Sequence, residues 1–119
     1  MLRRHVAGKQ ITSFQILGIN SLKTLIPSAE STVGQTITDL IADNDLRRVD
    51  LILTEHAITV DLARTGTMLV LHQTTTWKPS DKTPMPTARV IFTDGSGVDF
   101  KEPAKTKRIT FTIREIDQK

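Results

Sequence analysis

The chain of 119 residues contains no cysteine and no long apolar run. The absence of cysteine excludes disulfides, thiolate zinc sites and cysteine nucleophiles. Without a long apolar run the sequence has no candidate membrane-spanning helix, and the N-terminal "MLRRHVAGKQ" lacks the apolar core of a signal peptide. We therefore expect a soluble, cytoplasmic protein that has no membrane partner.

Aromatic residues are also scarce, at 4% of the chain. The core must therefore be built from Ile, Leu and Val. Its few large side chains are expected to be Phe14, Phe92, Phe100, Phe111 and Trp77. Branched side chains and many threonines favour strands over helices. The length indicates one domain over residues 1–119 with a modest core.

Alternation of apolar and polar residues predicts most of the strands. We predict strands over 9–19, 47–53, 58–63, 66–73 and 109–116, and a hairpin over 87–100 that turns at Asp94-Gly95-Ser96-Gly97. The strands 58–63 and 66–73 read as a pair joined by a short turn with Arg64 at its tip. In the last strand, Ile109, Phe111, Ile113 and Ile116 should face the core.

The remaining segments are less regular. "TEHA" (54–57) is a plausible hairpin loop, and 74–86 is a long irregular loop because its prolines forbid regular pairing. Residues 20–32 read as a loop with a short strand or helical turn, and 33–45 suits either a helix or a strand. The sum is about seven or eight mostly antiparallel strands with little helix, which predicts a mainly β fold, an antiparallel β-sandwich or flattened barrel.

The sequence offers little catalytic chemistry. His5, His56 and His72 are far apart and no pair has the spacing of helical metal ligands. Asp43 and Asp45 flank an asparagine as in a calcium loop, but the glycine and the final glutamate of such a loop are missing. No nucleophile elbow or phosphate-binding glycine loop is present. We therefore predict no catalytic residues, no metal site and no cofactor.

Basic residues are the more informative set, in a chain of formal net charge +3. Seven of them lie at predicted strand ends or loops: Arg47, Arg48, Arg64, Lys101, Lys105, Lys107 and Arg108. If these strand ends converge on one edge, they form a basic rim suited to phosphates. The alternative is scattered surface charge. Few aromatics accompany them, so base stacking should contribute little.

Five stretches, in order, resemble the N-terminal β-sandwich domain of the formamidopyrimidine-DNA glycosylase and endonuclease VIII family. They are "HVAGKQIT" (5–12), "VGQTIT", "RRVDLIL", "ITVDLARTGTMLVL" and "ARVIFTDGSGVDFKEPAKTKRITFTI". The first resembles the family's His-Leu-x-Gly-x-x-Ile segment, the fourth its strand–Leu-Gly-Met-Ser-Gly–strand turn, and the last its final hairpin and Asp-x-Arg-Arg-Phe-Gly loop. The resemblance covers nearly the whole chain and rests on order and spacing.

The departures from the family concern its catalytic residues. Family members carry a proline and usually a glutamate after the initiator methionine, and the proline amine is the covalent nucleophile. Here Leu2 and Arg3 follow Met1, and the helix that would carry the nucleophile is expected to be absent. The family's lysine near the start of the third strand corresponds to Asp45, Arg47 or Asp50, depending on the alignment.

The residues that fill the gap left by an extruded base also differ. The family's methionine corresponds to Arg64, and its later arginine and phenylalanine correspond to Ala104 and Thr106, with Lys105 keeping one charge. Base extrusion costs several kcal/mol and requires a filling side chain, for which Ala104 and Thr106 are poor. The family's C-terminal helical domain would not fit within this length.

Three functions remain open. The first is a catalytically degenerate, non-enzymatic sandwich that binds DNA or structured RNA, or organises a nucleoprotein, and is associated with the nucleoid or a nucleoprotein. The second is a fragment or subunit of an active base-excision DNA glycosylase and AP lyase. The third is a protein-interaction module whose apolar strand faces dock a protein partner.

Overall fold

The computed structural model describes residues 2–17, 29–43, 45, 47–80, 85–102 and 109–116, with only the backbone of residues 2 and 3. Three of the seven predicted contacts, Lys105, Lys107 and Arg108, lie outside the described residues, as do Ala104 and Thr106. So do Asn44 and most of the predicted loop 20–32. Within the described ranges no helix is long and apolar enough to cross a membrane.

One short helix and eight strands form in the described residues. They are α1 (Leu2–Val6), β1 (Ile11–Ile16), β2 (Ile37–Asp43), β3 (Arg48–Leu53), β4 (His56–Asp61), β5 (Thr67–Leu71), β6 (Ala88–Phe92), β7 (Gly97–Lys101) and β8 (Thr110–Glu115). A 3₁₀ turn, Ala29–Thr32, precedes β2. The mainly β prediction is therefore confirmed, and the ambiguous 33–45 segment resolves as the strand β2.

The strands form two four-stranded sheets that are antiparallel throughout. The first sheet has the order β1-β6-β7-β5, and the second has the order β2-β3-β4-β8. The predicted β6–β7 hairpin is confirmed, and Gly95 takes the positive φ of 88° that its turn needs. A single bridge between Gln10 and Thr36, the residues that precede β1 and β2, connects the two sheets at the start of these edge strands.

The core lies between the two sheets and follows the predicted alternation. On β3, Val49, Leu51 and Leu53 are buried while their neighbours are less so. The phenylalanine rings interlock edge to face: Phe111 lies 5.7 Å from Phe14 and 5.2 Å from Phe100 between ring centroids. The largest fully buried side chains are Phe92, Phe100, Phe111, Ile11, Ile37, Leu51, Leu53, Ile58, Ile109 and Ile113.

Trp77 is not part of this core, contrary to the prediction. It is half-buried in the irregular segment that runs over the outer face of the first sheet. Its backbone is held there by Gln15 of β1: Trp77 N donates to Gln15 Oε1 at 2.8 Å, and Gln15 Nε2 donates to Trp77 O at 3.0 Å. The Trp77 ring therefore lies in the segment that covers the outer face of the first sheet, while the smaller phenylalanine rings fill the core between the two sheets.

That outer face buries an ion pair that the sequence pattern did not predict. Arg89 of β6 and Asp99 of β7 are cross-strand partners, and two hydrogen bonds join them, from Nε to Oδ1 at 2.6 Å and from Nη2 to Oδ2 at 2.9 Å. Arg89 Nη1 also donates to the carbonyl of Thr75 at 2.8 Å. Because segment 74–80 covers this face, β6 and most of β7 are buried on both sides.

Three further expectations are wrong. A short helix, α1, forms over residues 2–6, where the N-terminal helix was expected to be absent. The predicted loop 54–57 is shorter, because His56 and Ala57 are the first residues of β4 and pair with β8. Ile116 is only half-buried, although Ile109, Phe111 and Ile113 face the core as predicted.

The fifth error concerns strands 58–63 and 66–73, which do not form a hairpin. β4 pairs with β3 and β8 in the second sheet, whereas β5 pairs with β7 in the first. The residues between them, 62–66, therefore carry the chain across the sandwich from one sheet to the other. We refer to residues 62–66 as the crossing turn. A hairpin within one sheet and a crossing between two sheets both consist of a strand, a short turn and a second strand, so the sequence pattern is the same for both.

The sandwich has two ends, which are named here by one residue each. At the Arg64 end, β2, β4 and β7 finish and β3, β5 and β8 begin, and the crossing turn lies there. At the Asp94 end lie α1, the β6–β7 turn and the start of β2. Contacts such as Gly8 N to Ile37 O at 2.7 Å and Lys9 Nζ to Asp94 Oδ2 at 3.1 Å hold the Asp94 end together.

Candidate nucleic-acid interface

All four described members of the predicted basic set lie at the Arg64 end. Arg47 precedes β3, Arg48 begins it, Arg64 lies in the crossing turn and Lys101 ends β7. Residues 103–108 lie between Glu102 and Ile109, and both of these described residues are also at this end. For these four described residues, the strand ends lie at one end of the sandwich.

The crossing turn is a compact five-residue turn. Gly66 N donates to Leu62 O at 2.9 Å, and Ala63 N donates to Asp61 Oδ1 at 2.9 Å. Ala63 adopts a positive φ of 55°, which a residue with a Cβ rarely takes. A Cβ on Gly66 would lie 2.3 Å from Leu62 O and 2.7 Å from Ile109 Cγ1. This close approach requires glycine at position 66.

Arg47, which precedes β3 of the second sheet, is hydrogen-bonded to the crossing turn. Its Nε donates to Ala63 O at 2.7 Å and its Nη2 donates to Gly66 O. Its own carbonyl accepts a hydrogen bond from Leu62 N at 2.9 Å, and its φ of 49° is again left-handed. The guanidinium thus satisfies two carbonyls of a turn that could not pair with a neighbouring strand.

Glu102, which follows β7 of the first sheet, is hydrogen-bonded to the same turn. Its side chain is buried, with Oε2 accepting a hydrogen bond from Thr65 Oγ1 at 3.2 Å and Oε1 accepting one from Ile109 N at 3.1 Å. One carboxylate therefore connects the crossing turn to the point where the chain returns into β8. This makes Glu102 a structural residue within a segment that otherwise reads as basic.

Arg64 lies between Ala63, to which Arg47 donates, and Thr65, which donates to Glu102. The side chain of Arg64 is exposed. In the described part of the chain no acceptor is paired with its guanidinium. Arg48 is also exposed, but in the strand register it lies opposite two carboxylate residues, Asp43 on β2 and Asp61 on β4. Lys101 is half-buried. Among the four described members of the predicted basic set, Arg64 is therefore the one most open to a ligand.

The described charges at the Arg64 end offset one another. The cations are Arg47, Arg48, Arg64 and Lys101, and the carboxylates include Asp43, Asp45, Asp61 and Glu102. A shallow depression of about 180 Å³ is lined by Ala42, Asp43, Arg47, Arg48, Val49 and Leu62, so it carries both signs. The excess of positive charge in the sequence around this end comes from Lys105, Lys107 and Arg108.

The Asp94 end holds a second polar cluster that sequence reasoning missed. Lys9 Nζ donates to Ser96 Oγ at 2.7 Å, lies 3.1 Å from Asp94 Oδ2 and lies 5.6 Å from the Phe92 ring centroid. Hydrogen bonds from Ser96, and then Lys9, lower the pKa of Asp94 from 3.8 to about 2. The cluster ties the β6–β7 turn to the chain entering β1.

Two of the three dispersed histidines also meet there. The rings of His5 and His72 are 6.0 Å apart and perpendicular. His5 Nε2 lies 3.3 Å from Gly97 O, and burial, followed by the charge of Lys9, lowers the pKa of His5. Among the residues that the structure describes, no group of three or more potential ligands is placed to hold a metal ion.

His56 has a fixed tautomer. Gln35 Oε1 accepts hydrogen bonds from the backbone amides of Glu55 and His56, so its Nε2 is the atom that lies 2.6 Å from His56 Nδ1. Because Nδ1 accepts this hydrogen bond, the neutral ring carries its proton on Nε2. The histidine lines a cavity of about 300 Å³ with Glu55, Glu115 and Ile116, and its role in the described contacts is to hold β4 to the turn before β2.

Comparison with known proteins places the fold. No protein-family model matches the sequence, and no curated protein matches it. Solved structures do match: Lactococcus lactis formamidopyrimidine-DNA glycosylase bound to DNA containing FAPY-dG superposes with a TM-score of 0.73 at 11% identity over 96% of this chain. The same glycosylase bound non-covalently to DNA with an AP site gives a TM-score of 0.73, again at 11% identity and 96% coverage.

A third structure of that glycosylase, with THF-DNA and an inhibitor, gives a TM-score of 0.74 at 11% identity. The match confirms the resemblance at the level of fold: the chain is similar to the N-terminal part of this glycosylase. The chain spans about 40% of the length of the glycosylase chains that it matches. At a sequence identity of 11%, the structural likeness shows the fold alone.

Proposed function

We propose that this protein is a non-enzymatic nucleic-acid-binding or nucleoprotein-scaffolding module on a glycosylase-type β-sandwich, and that it binds at the Arg64 end. One observation carries the proposal: basic residues from separate strands and turns, Arg48, Arg64 and Lys101, are brought to the same end of the sandwich. The likeness to DNA-bound glycosylase structures supports a nucleic acid as the ligand.

Phosphate contacts should dominate this binding. An exposed arginine presents a planar set of N–H donors that suits a phosphate, and Arg64 has that exposure. Since the described charges at this end offset one another, Lys105, Lys107 and Arg108 are proposed to supply the net attraction. Binding by a few phosphate contacts is weak at physiological salt and strongly salt-dependent. The few aromatics make base stacking a small contribution.

The proposal excludes base excision by this chain, for reasons internal to the sequence. At the start of β3, where the resembling family has a lysine, the candidates are Asp45, Arg47 and Asp50. Asp45 and Asp50 are acids, and Arg47 carries a guanidinium, which is not an amine and which donates to two carbonyls. None of the three is a titratable amine. Arg64 likewise replaces an apolar wedge with a charged, hydrated group.

The first test is a binding titration on duplex DNA and on structured RNA, followed by fluorescence anisotropy at about 50 mM salt. Lys101, Lys105, Lys107 and Arg108 are reversed together to glutamate, and Arg64→Glu is made separately. Both variants should lose affinity. Arg114→Glu is the matched control for Arg64→Glu, because Arg114 is exposed on β8 near the Asp94 end. Equal losses for these two single variants, or no binding by the wild type, would contradict the proposal.

The second test separates this proposal from the two other functions left open. Borohydride trapping on damaged duplex should yield no covalent adduct with this chain, and an adduct would show amine catalysis of the glycosylase type. Size measurement in solution, with and without nucleic acid, should show a larger species only with nucleic acid. Assembly with a protein partner that is unaffected by the basic substitutions would favour the protein-interaction function.

A further inference from the structure

The cations at the Arg64 end differ in what their side chains already contact. Arg64 has no acceptor in the described part of the chain, whereas Arg47 donates to the carbonyls of Ala63 and Gly66, the residues on either side of Arg64 and Thr65. The two donors lie on the same edge of one guanidinium. Arg47 therefore spans the base of the crossing turn.

The backbone of Arg47 reinforces this contact. Its carbonyl accepts the amide of Leu62 at 2.9 Å, so main chain and side chain both bind the crossing turn. The left-handed φ of 49° is unfavourable for a residue with a Cβ. Such a conformation is retained where surrounding contacts determine it. Here those contacts are the hydrogen bonds to the crossing turn.

We propose that Arg47 is a positioning residue: it does not bind the nucleic acid but clamps the crossing turn so that Arg64 is presented to a phosphate. This inference rests on the proposed function, and it reassigns one of the seven predicted contacts. The clamp reduces the freedom that the turn would lose on binding, which is the general benefit of a pre-organised contact. Glu102 completes the clamp from the opposite sheet through Thr65.

A double-mutant cycle on affinity tests the reassignment. Arg47→Lys keeps the positive charge but loses the planar fork, and Arg64→Gln removes the proposed phosphate contact. Arg64→Gln should lower the slope of log affinity against log salt by about one, and Arg47→Lys should weaken binding despite its retained charge. When Arg64 is already Gln, Arg47→Lys should have no further effect. Effects that add would show that Arg47 binds the nucleic acid directly.

The matched control is Arg114→Lys, at an exposed arginine on β8 near the Asp94 end whose side chain has no described contact with the crossing turn. It should change affinity little, with or without Arg64. An effect of Arg114→Lys equal to that of Arg47→Lys, and equally dependent on Arg64, would overturn the special role of Arg47.

The clamp itself is tested without nucleic acid. In Arg47→Gln the amide of Gly66, which donates to Leu62 O, should exchange with solvent about tenfold faster. The amide of Gly95 at the Asp94 end, which donates to Phe92 O, should not change. Unchanged exchange at Gly66 would refute the clamp even if nucleic acid binds. Faster exchange at Gly66 alone, with no binding by the wild type, would retain the clamp and refute the proposed function.

Discussion

The buried carboxylate of Glu102 accepts a hydrogen bond from the amide of Ile109 at 3.1 Å. The two residues flank segment 103–108, so this contact fixes the distance between the end of the first sheet and the return of the chain into β8. The other carboxylate oxygen accepts Thr65 Oγ1. An acidic residue in a basic stretch thereby acts as the joint between two parts of the candidate interface.

Glu102→Ala should lower the free energy of unfolding by about 2–4 kcal/mol, because the buried amide of Ile109 and the hydroxyl of Thr65 lose their acceptor. Urea denaturation measures the change. Thr65→Val is the comparison: it removes only the hydroxyl contact and should cost about 1 kcal/mol. Equal costs for the two variants would show that the contact with Ile109 contributes nothing.

Gly66→Ala should cost about 3 kcal/mol of stability, because its Cβ would meet a backbone oxygen at 2.3 Å and no rotamer relieves a backbone contact. Gly34→Ala is the matched control. Its φ is 90° and nothing lies within 4 Å of the added Cβ, so only backbone strain of about 1 kcal/mol applies. The two thermal unfolding curves should therefore differ, and a larger loss for Gly34→Ala would be inconsistent with the packing described.

Asp99→Ala should destabilise the protein by about 3–5 kcal/mol, because it leaves the buried Arg89 guanidinium without its carboxylate. Replacing both partners, as Arg89→Met with Asp99→Leu, should cost much less or be neutral. Urea denaturation of the single and double variants makes the comparison. If the double variant lost as much as the single one, the pair would contribute net stability rather than merely avoiding an unpaired charge.

Acid should weaken the Asp94 end. The folded pKa of Asp94, about 2, lies below its ordinary value of 3.8. Its ionised form is therefore favoured by folding, and its contribution to stability is present above about pH 4 and is lost as the pH falls towards 2. Melting temperatures of the wild type and Asp94→Asn should differ by a constant amount at neutral pH and converge below pH 4. Curves that remain parallel to pH 2 would show that Asp94 has no such role.

Local alternation was sufficient to predict several elements. β3 and β8 were predicted with the correct faces, since Val49, Leu51 and Leu53, and Ile109, Phe111 and Ile113, point to the core at every second position. The β6–β7 hairpin was also predicted, because the Asp94-Gly95 turn has a specific backbone requirement. The order of such segments was enough to suggest the glycosylase-type fold that the structural comparison confirms.

Partner choice between strands could not be predicted in the same way. β4 and β5 are neighbours in sequence but lie in different sheets. Two strands that pair as a hairpin would have the same hydrophobic pattern as these two strands, so the pattern does not distinguish the two arrangements. The contact between Arg89 and Asp99 depends on the register of two strands, and that between Arg47 and Gly66 on the path of the crossing turn. The sequence therefore could not reveal that the guanidinium of the exposed Arg47 is hydrogen-bonded to the crossing turn. Gly66 was the available signal, since glycine is the usual residue where another part of the chain approaches the backbone closely.

The most direct test of the central claim is an NMR titration that follows the backbone amides as duplex DNA or structured RNA is added at about 50 mM salt. We predict that the amide chemical shifts change in the crossing turn and at Arg48 and Lys101, while the amide chemical shifts of Lys9 and Ser96 at the Asp94 end do not change. Changes centred on the Asp94 end, or no changes with either nucleic acid, would contradict a nucleic-acid interface at the Arg64 end.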